Sequence, residues 1–256
     1  MEKINKQTFT LTYGNCAENH KSMEIIGKKL EYGLKKGDLE KAKKYFENLK
    51  YKCELIELHK IINITDEAYL LIVRNGVDAI LGENKKDELY LEQDKLEKDS
   101  KAFMYGRVVN KKARHNLCFS DYEQKADYEN KKGTVVNFKD VKYTNIIRNK
   151  IYEILNNEIV KDLQCEGNYY YDVEKTYIGF HGDTEREIVI AVRLGADFPL
   201  YYQWYKDSKK VGDLYECILK HGDIYFMSEK AVGTDWKKSS KYTLRHATGS
   251  KKMLNL

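Results

Sequence analysis

Residues 177–187 read YIGFHGDTERE, and within them a histidine and an aspartate stand one position apart, His181 and Asp183. In an extended chain, positions i and i+2 point the same way. An imidazole nitrogen and a carboxylate oxygen at this spacing can therefore converge on one ion. Two histidines and one carboxylate on one face of a metal, with the other positions open, is the ligand set of non-haem iron oxygenases. The plain alternative is a polar turn after an apolar run, and the spacing alone does not separate the two.

Such a pair needs a strand to carry it and further strands to close a pocket around it. TFTLTY (8–13) alternates as a strand does. Met23, Ile26, Leu30 and Leu34 have helical spacing, which predicts a helix over 18–34. Residues 37–61 predict a long helix capped by Asp38. Residues 67–82 read as two short strands about Asn75-Gly76, a hairpin signal. The charged stretch 83–101 reads as a solvated helix or a linker, and a boundary at its start divides the chain into 1–84 and 85–256. Beyond residue 102, aromatic and β-branched runs alternate with Gly, Asn and Asp turns, interrupted by one predicted helix over 143–160. The expected class is mainly β, α+β overall, with a barrel or sandwich of short strands.

The segment EGNYYYDVEKTYIGFHGDTERE resembles the part of the AlkB family of Fe(II)/2-oxoglutarate dioxygenases that runs Asn-x-Tyr, a turn, then His-x-Asp-x-x-Glu. The match falls on Asn168, Tyr170, His181, Asp183 and Glu185. EIVIAVRLG, ILKHGDIYFM and YTLRHATG follow in the family's order, and FMYGRVVNKKARHNLCFSD resembles its upstream segment, with Ala113 where a proline is usual. The resemblance runs from about residue 100 to about residue 250, and residues 1–82 have no counterpart in it. It implies a double-stranded β-helix (jelly-roll) barrel with an N-terminal α+β extension. It implies Fe(II) on His181 and Asp183, and 2-oxoglutarate held by Asn168, Tyr170 and Arg245. O2 would be the co-substrate, and DNA or RNA the substrate, contacted by Glu185, Arg114 and His115. The reaction implied is oxidative demethylation, dealkylation or hydroxylation of a nucleobase. A protein hydroxylase, a non-catalytic nucleic-acid-binding module on a degenerate barrel, and a protein-interaction role for 1–82 are the alternatives.

The third ligand is where the pattern breaks. The window in which the family places a second histidine, GTDWKK (233–238), has none. His246, Asp235 or no residue at all can complete the set. His246 adjoins Arg245, and neighbours in a strand face opposite ways, so both point inward only across a bulge. His20, His59 and His221 read as ordinary surface or half-buried residues. YYQWY (201–205) reads as core packing before it reads as a base-stacking surface.

Composition narrows the classes further. With 45 basic and 40 acidic residues interspersed, the net charge of +5 permits a polyanionic partner without requiring one. The five cysteines are widely spaced with no C-x-x-C, which argues against a disulfide framework or a zinc knuckle. The N-terminus lacks a signal-peptide run and no stretch reaches the length of a membrane helix, so the expected setting is intracellular, away from any membrane.

Overall fold

The computed structural model describes residues 6–256, so residues 1–5 of the expected extension lie outside the described residues. β1 (Thr8–Gly14) alternates threonines with Phe9, Leu11 and Tyr13, and the latter three enter the core. β2 (Cys16–Glu18) and β3 (Ile25–Gly27) then form a ribbon where a helix is predicted over 18–34. That expectation is corrected, because long-range hydrogen bonds hold the segment extended. Asn15 Nδ2 donates to Lys28 O (2.8 Å), and Leu30 N donates to Glu187 Oε2 (3.1 Å). Gly27 has φ +94°, and a Cβ there would lie 2.2 Å from Asn15 O.

α1 (Lys36–Asn48) is shorter than the helix predicted over 37–61, because Lys50 at φ 68° turns the chain and the residues beyond become β4 (Cys53–Glu57). Asp38 lies in the first turn, not at the cap, and its carboxylate accepts from Lys35 N at 2.9 Å. β5 (Tyr69–Val73) is the first half of the predicted hairpin, but the second half is α2 (Gly76–Leu81). Asn75 is left-handed (φ 53°), as in a hairpin turn. Asp223 captures it from outside, accepting from Asn75 N (3.1 Å) and Arg74 Nη1 (2.7 Å), and the chain leaves as a helix. α3 (Lys85–Asp94) carries the charged stretch, with Leu89 and Tyr90 buried.

The β-rich remainder follows as β6 (Lys101–Met104), β7 (Arg107–Asn110), β8 (His115–Ser120) and β9 (Val135–Asn137). α4 (Lys142–Leu155) ends at the left-handed Asn156, short of the predicted residue 160. Then come β10 (Gln164–Tyr170), β11 (Ile178–His181), β12 (Val189–Gly195), β13 (Phe198–Lys206), β14 (Lys209–Leu219) and β15 (Ile224–Met227). The short α5 (Glu229–Val232), β16 (Thr243–Thr248) and α6 (Lys251–Leu254) complete the chain.

Strand (37%) outweighs helix (25%), so the molecule is mainly β. The larger sheet has the order β4-β5-β15-β12-β1-β10-β8-β9, and the smaller one β11-β16-β13-β14. Strands from both sides of the boundary expected at residue 84 lie next to one another in the larger sheet. β1 sits between β12 and β10, and β5 pairs with β15. One apolar core likewise joins Leu11, Phe46 and Leu71 to Phe119, Ile151 and Val192.

Alternation then assigns the faces. On β12, Ile190, Val192 and Leu194 enter the core shared with α1 and α4, while Val189 and Ala191 pack with Tyr202, Trp204 and Leu244 of the smaller sheet. Each fully buried large apolar side chain contributes about 1.5–3 kcal/mol, which holds the two sheets face to face. No helix among the described residues is long and apolar enough to cross a membrane.

Candidate metal centre

His181 ends β11 and Asp183 lies in the turn after it. The residue between them has to be glycine, because a Cβ on Gly182 would sit 2.0 Å from Gly233 O. The turn is pinned there by Asp183 N donating to Val232 O (3.1 Å). On the neighbouring strand, His246 of β16 stands directly opposite His181. The two rings are 4.5 Å apart at 60°. His181 Nε2 lies 3.4 Å, and His246 Nε2 3.8 Å, from Asp183 Oδ1. Among the described residues, the ligand atoms of His181, Asp183 and His246 all lie within 4.8 Å of one another.

The donor atoms suit a cation. His181 Nδ1 lies 2.7 Å from Gly179 O, a geometry in which Nδ1–H donates to the carbonyl and Nε2 presents its lone pair. Burial, together with the neighbouring His181, pushes the His246 imidazole down to about 3, so it stays neutral. Burial works against the Asp183 carboxylate. The Arg186 guanidinium is the largest of the influences that outweigh it and hold the group well below the usual carboxylate range. Two imidazole nitrogens and one carboxylate make a two-histidine, one-carboxylate donor set.

Behind the triad lies a buried ionic layer. Arg186 Nη2 donates to Glu166 and to Glu185 (2.7 Å), and its Nε lies 3.6 Å from Asp183. It sets a positive charge beside Asp183 while pairing with the neighbouring carboxylates. Asn168 Oδ1 accepts from Arg114 Nε (2.6 Å) and Asn116 Nδ2 (2.7 Å), and its Nδ2 donates to Glu166 (3.0 Å). Asn168 thus reaches the pocket wall with its amide committed to positioning Arg114. Tyr170 packs against Phe198, ring centroids 5.0 Å apart.

A cavity of about 450 Å³ opens between the sheets over these residues. His181, Asp183, His246, Asn168 and Tyr170 line it, as do Glu185 and Arg114. Two expected residues do not. Arg245 points to the other face of β16, where its guanidinium lies 3.8 Å from the Tyr205 ring centroid and 5.1 Å from that of Trp236. The strand alternates without a bulge at this point, so His246 facing inward sends Arg245 outward and away from the place expected for a co-substrate anchor. His115 is opposite Tyr169 and stacks with Tyr171 (5.0 Å), outside the cavity, because its neighbour Asn116 takes the inward position. Asp235 also lies outside the cluster, its Oδ2 bound to Lys230 Nζ (3.0 Å).

Sequence reasoning missed Arg193, Thr10, Arg186, Glu166 and Glu18, all of which line the cavity. Arg193 was there to be found, as a charge in the apolar run EIVIAVRLG, in phase with Val189 and Ala191. Its Nε and Nη1 are buried with no hydrogen-bond partner among the described residues. Glu18 is pushed up to about 7 by burial and by Glu185 and Glu166. Nothing in the sequence marks Glu18 or Thr10, because they arrive from a distant segment.

No family model matches the chain. It is 46% identical over 254 residues to "Uncharacterized protein R156" of Acanthamoeba polyphaga mimivirus, an alignment that covers 97% of this chain and 98% of the viral protein.

Proposed function

We propose, for a chain that belongs to the same family as protein R156 of Acanthamoeba polyphaga mimivirus, the chemistry of an Fe(II)/2-oxoglutarate-dependent dioxygenase. The observation that carries the reading is the convergence of His181, Asp183 and His246 at the wall of a cavity large enough for a small-molecule co-substrate. Bound there, Fe(II) would couple O2 reduction and decarboxylation of 2-oxoglutarate to oxidation of a C–H bond. The chain's own part is positional. His181 and His246 offer imidazole nitrogens, Asp183 offers a carboxylate with the Arg186 guanidinium beside it, and the two sheets form the cavity around them.

The jelly-roll reading has support in the layers. Four neighbouring strands of the eight-stranded sheet, β15-β12-β1-β10, lie across the core or the cavity from β11-β16-β13-β14, and two facing four-stranded layers are the make-up of a jelly roll. In this account, the first strand of the chain completes the larger layer. The AlkB-like resemblance extends the proposal to a nucleobase in DNA or RNA. Arg114, Lys21, Lys237 and the aromatic Trp236 and Phe180 at the cavity support a substrate with both a phosphate and a flat ring.

Electron paramagnetic resonance of Mn(II) titrated into the full chain tests the metal site. Wild type is expected to bind one ion, and His246→Ala or Asp183→Asn to weaken binding by on the order of 100-fold or more. Succinate formed from 2-oxoglutarate with Fe(II), alone and with methylated oligonucleotides, tests the reaction. Absence of a Mn(II) site in the wild type would overturn the reading.

A further inference from the structure

We propose that Arg193 and Thr10 form a carboxylate-binding subsite in the cavity and that it takes the far carboxylate of a 2-oxo dicarboxylic acid. The dicarboxylate's identity rests on the oxygenase reading above; the carboxylate specificity of the subsite rests on Arg193 alone.

Arg193 is 1% exposed. Two other arginines are buried to a similar degree, and each holds carboxylates: Arg148 forks onto Asp121 at 2.7 Å through both terminal nitrogens, and Arg186 binds Glu166 and Glu185. Arg193 has no such partner. Asp223, whose backbone carbonyl accepts from Arg193 N (2.9 Å), has its carboxylate taken by Arg74 Nη1 (2.7 Å) and by the backbone nitrogens of Asn75 (3.1 Å) and Lys220 (2.9 Å). What Arg193 does meet is the Phe198 ring at 5.3 Å, which replaces neither a counter-ion nor an acceptor.

The second observation is independent of the first. Thr10 stands opposite Arg193 in the pairing of β1 with β12, and its buried Oγ1 also lacks a partner. Two orphaned donors on adjacent strands therefore face one space. Buried polar groups are as a rule satisfied, so a pair left open marks the place of something that binds. A guanidinium presents its N–H groups as a planar fork that matches a carboxylate, and a hydroxyl beside it adds one more donor. Arg193, Thr10 and the metal triad line the same cavity, with Tyr225 within electrostatic reach of both Arg193 and Asp183. A ligand that chelates at one end and carries a carboxylate at the other fits this layout.

Calorimetry on the Mn(II)-loaded full chain tests the proposal by comparing 2-oxoglutarate with 2-oxobutyrate, which has the same chelating head and no far carboxylate. Wild type is expected to prefer 2-oxoglutarate by on the order of 10–100-fold, the range of one charge-assisted pair. Arg193→Met should erase the preference, Thr10→Val should reduce it, and Arg245→Gln should leave it intact. A thermal melt without ligand separates this role from a structural one. Removing an unpaired buried charge should leave Arg193→Met at least as stable as wild type, and glutarate, which cannot chelate, should raise the melting temperature of wild type and not of the variant. Should Arg193→Met fail to fold, the loss of preference in Thr10→Val decides. A preference that survives in a folded Arg193→Met, or one left unchanged in Thr10→Val where Arg193→Met does not fold, overturns the subsite. If Mn(II) does not bind at all, the oxygenase reading falls, while an Arg193-dependent effect of glutarate would still establish the anion site.

Discussion

Glu18 shows how a single side chain reports on the charge of the whole pocket. It enters from β2 and faces Glu166 of β10, with Glu185 and Arg186 of the turn after β11 completing its surroundings. Burial and the two carboxylates raise it from 4.5 to about 7, and Arg186 and a hydrogen bond from Ser22 offset only part of that. The sign follows from linkage. A carboxyl raised in the folded state binds its proton more tightly there than in the unfolded chain. Its stabilising contribution is full below about 4.5 and is lost as pH rises through 7. Glu18→Gln, which keeps the shape and removes the charge, should melt above wild type at pH 8 and show no such gain at pH 4, with calorimetric melts of the ligand-free protein as the measurement. A gain of equal size at both values would mean that the carboxylate is relieved some other way.

At the scale of elements, the turn after β11 carries the most geometric constraint. Gly182 packs against Gly233, which itself has φ +75° and would set a Cβ 2.4 Å from Leu244 O. Two glycines thus let the turn after β11, the turn after α5 and the start of β16 touch at the level of backbone, and that contact brings His181 and Asp183 beside His246. Gly182→Ala should cost about 2–4 kcal/mol of stability and should also lose Mn(II) binding, because the clash lies with a carbonyl and not with a side chain that can move. Urea melts and Mn(II) titration of the same variant check both parts. Retention of Mn(II) affinity in a destabilised variant would show that the site does not depend on this turn. The hairpin reading at Asn75-Gly76 shows the limit of local signals. Its left-handed turn forms as the dipeptide predicts, yet Asp223, from the other end of the chain, and the close packing of Gly76 on Ile224 (2.9 Å to an added Cβ) convert the second strand into a helix.

For the molecule as a whole, the consequence of topology is that the first strand is central. β1 pairs along its length with β10 on one side and with β12 on the other, and contributes Phe9, Leu11 and Tyr13 to the main core. A fragment of residues 85–256 would expose three strand edges, on β15, β12 and β10, and leave the apolar residues of α4 without α1. It should show no cooperative thermal transition, and circular dichroism against temperature is the check. A sharp transition in that fragment would mean that residues 1–84 are dispensable for folding.

The sequence by itself determined β1 from its alternation, β12, β13 and β16 as aromatic and β-branched runs between turns, and the helix of α4, because such patterns are local properties. It determined His181 and Asp183 as a pair for the same reason: two positions apart on an extended chain is a statement about neighbours. Everything that needed contact between distant segments was decided by the tertiary structure. His246 facing inward and Arg245 outward depends on which face of β16 meets the larger sheet, which no residue near 246 specifies. Arg193 stood out as a charge in an apolar strand, but its lack of a partner appears only once Asp223 is seen to be occupied by Arg74. The ribbon over 16–27 replaced a predicted helix because Asn15 and Glu187, 172 residues apart, hold the chain open at their meeting point. Local patterns fix what a segment can be, and the hydrogen bonds and charges that choose among those possibilities come from wherever the fold brings them.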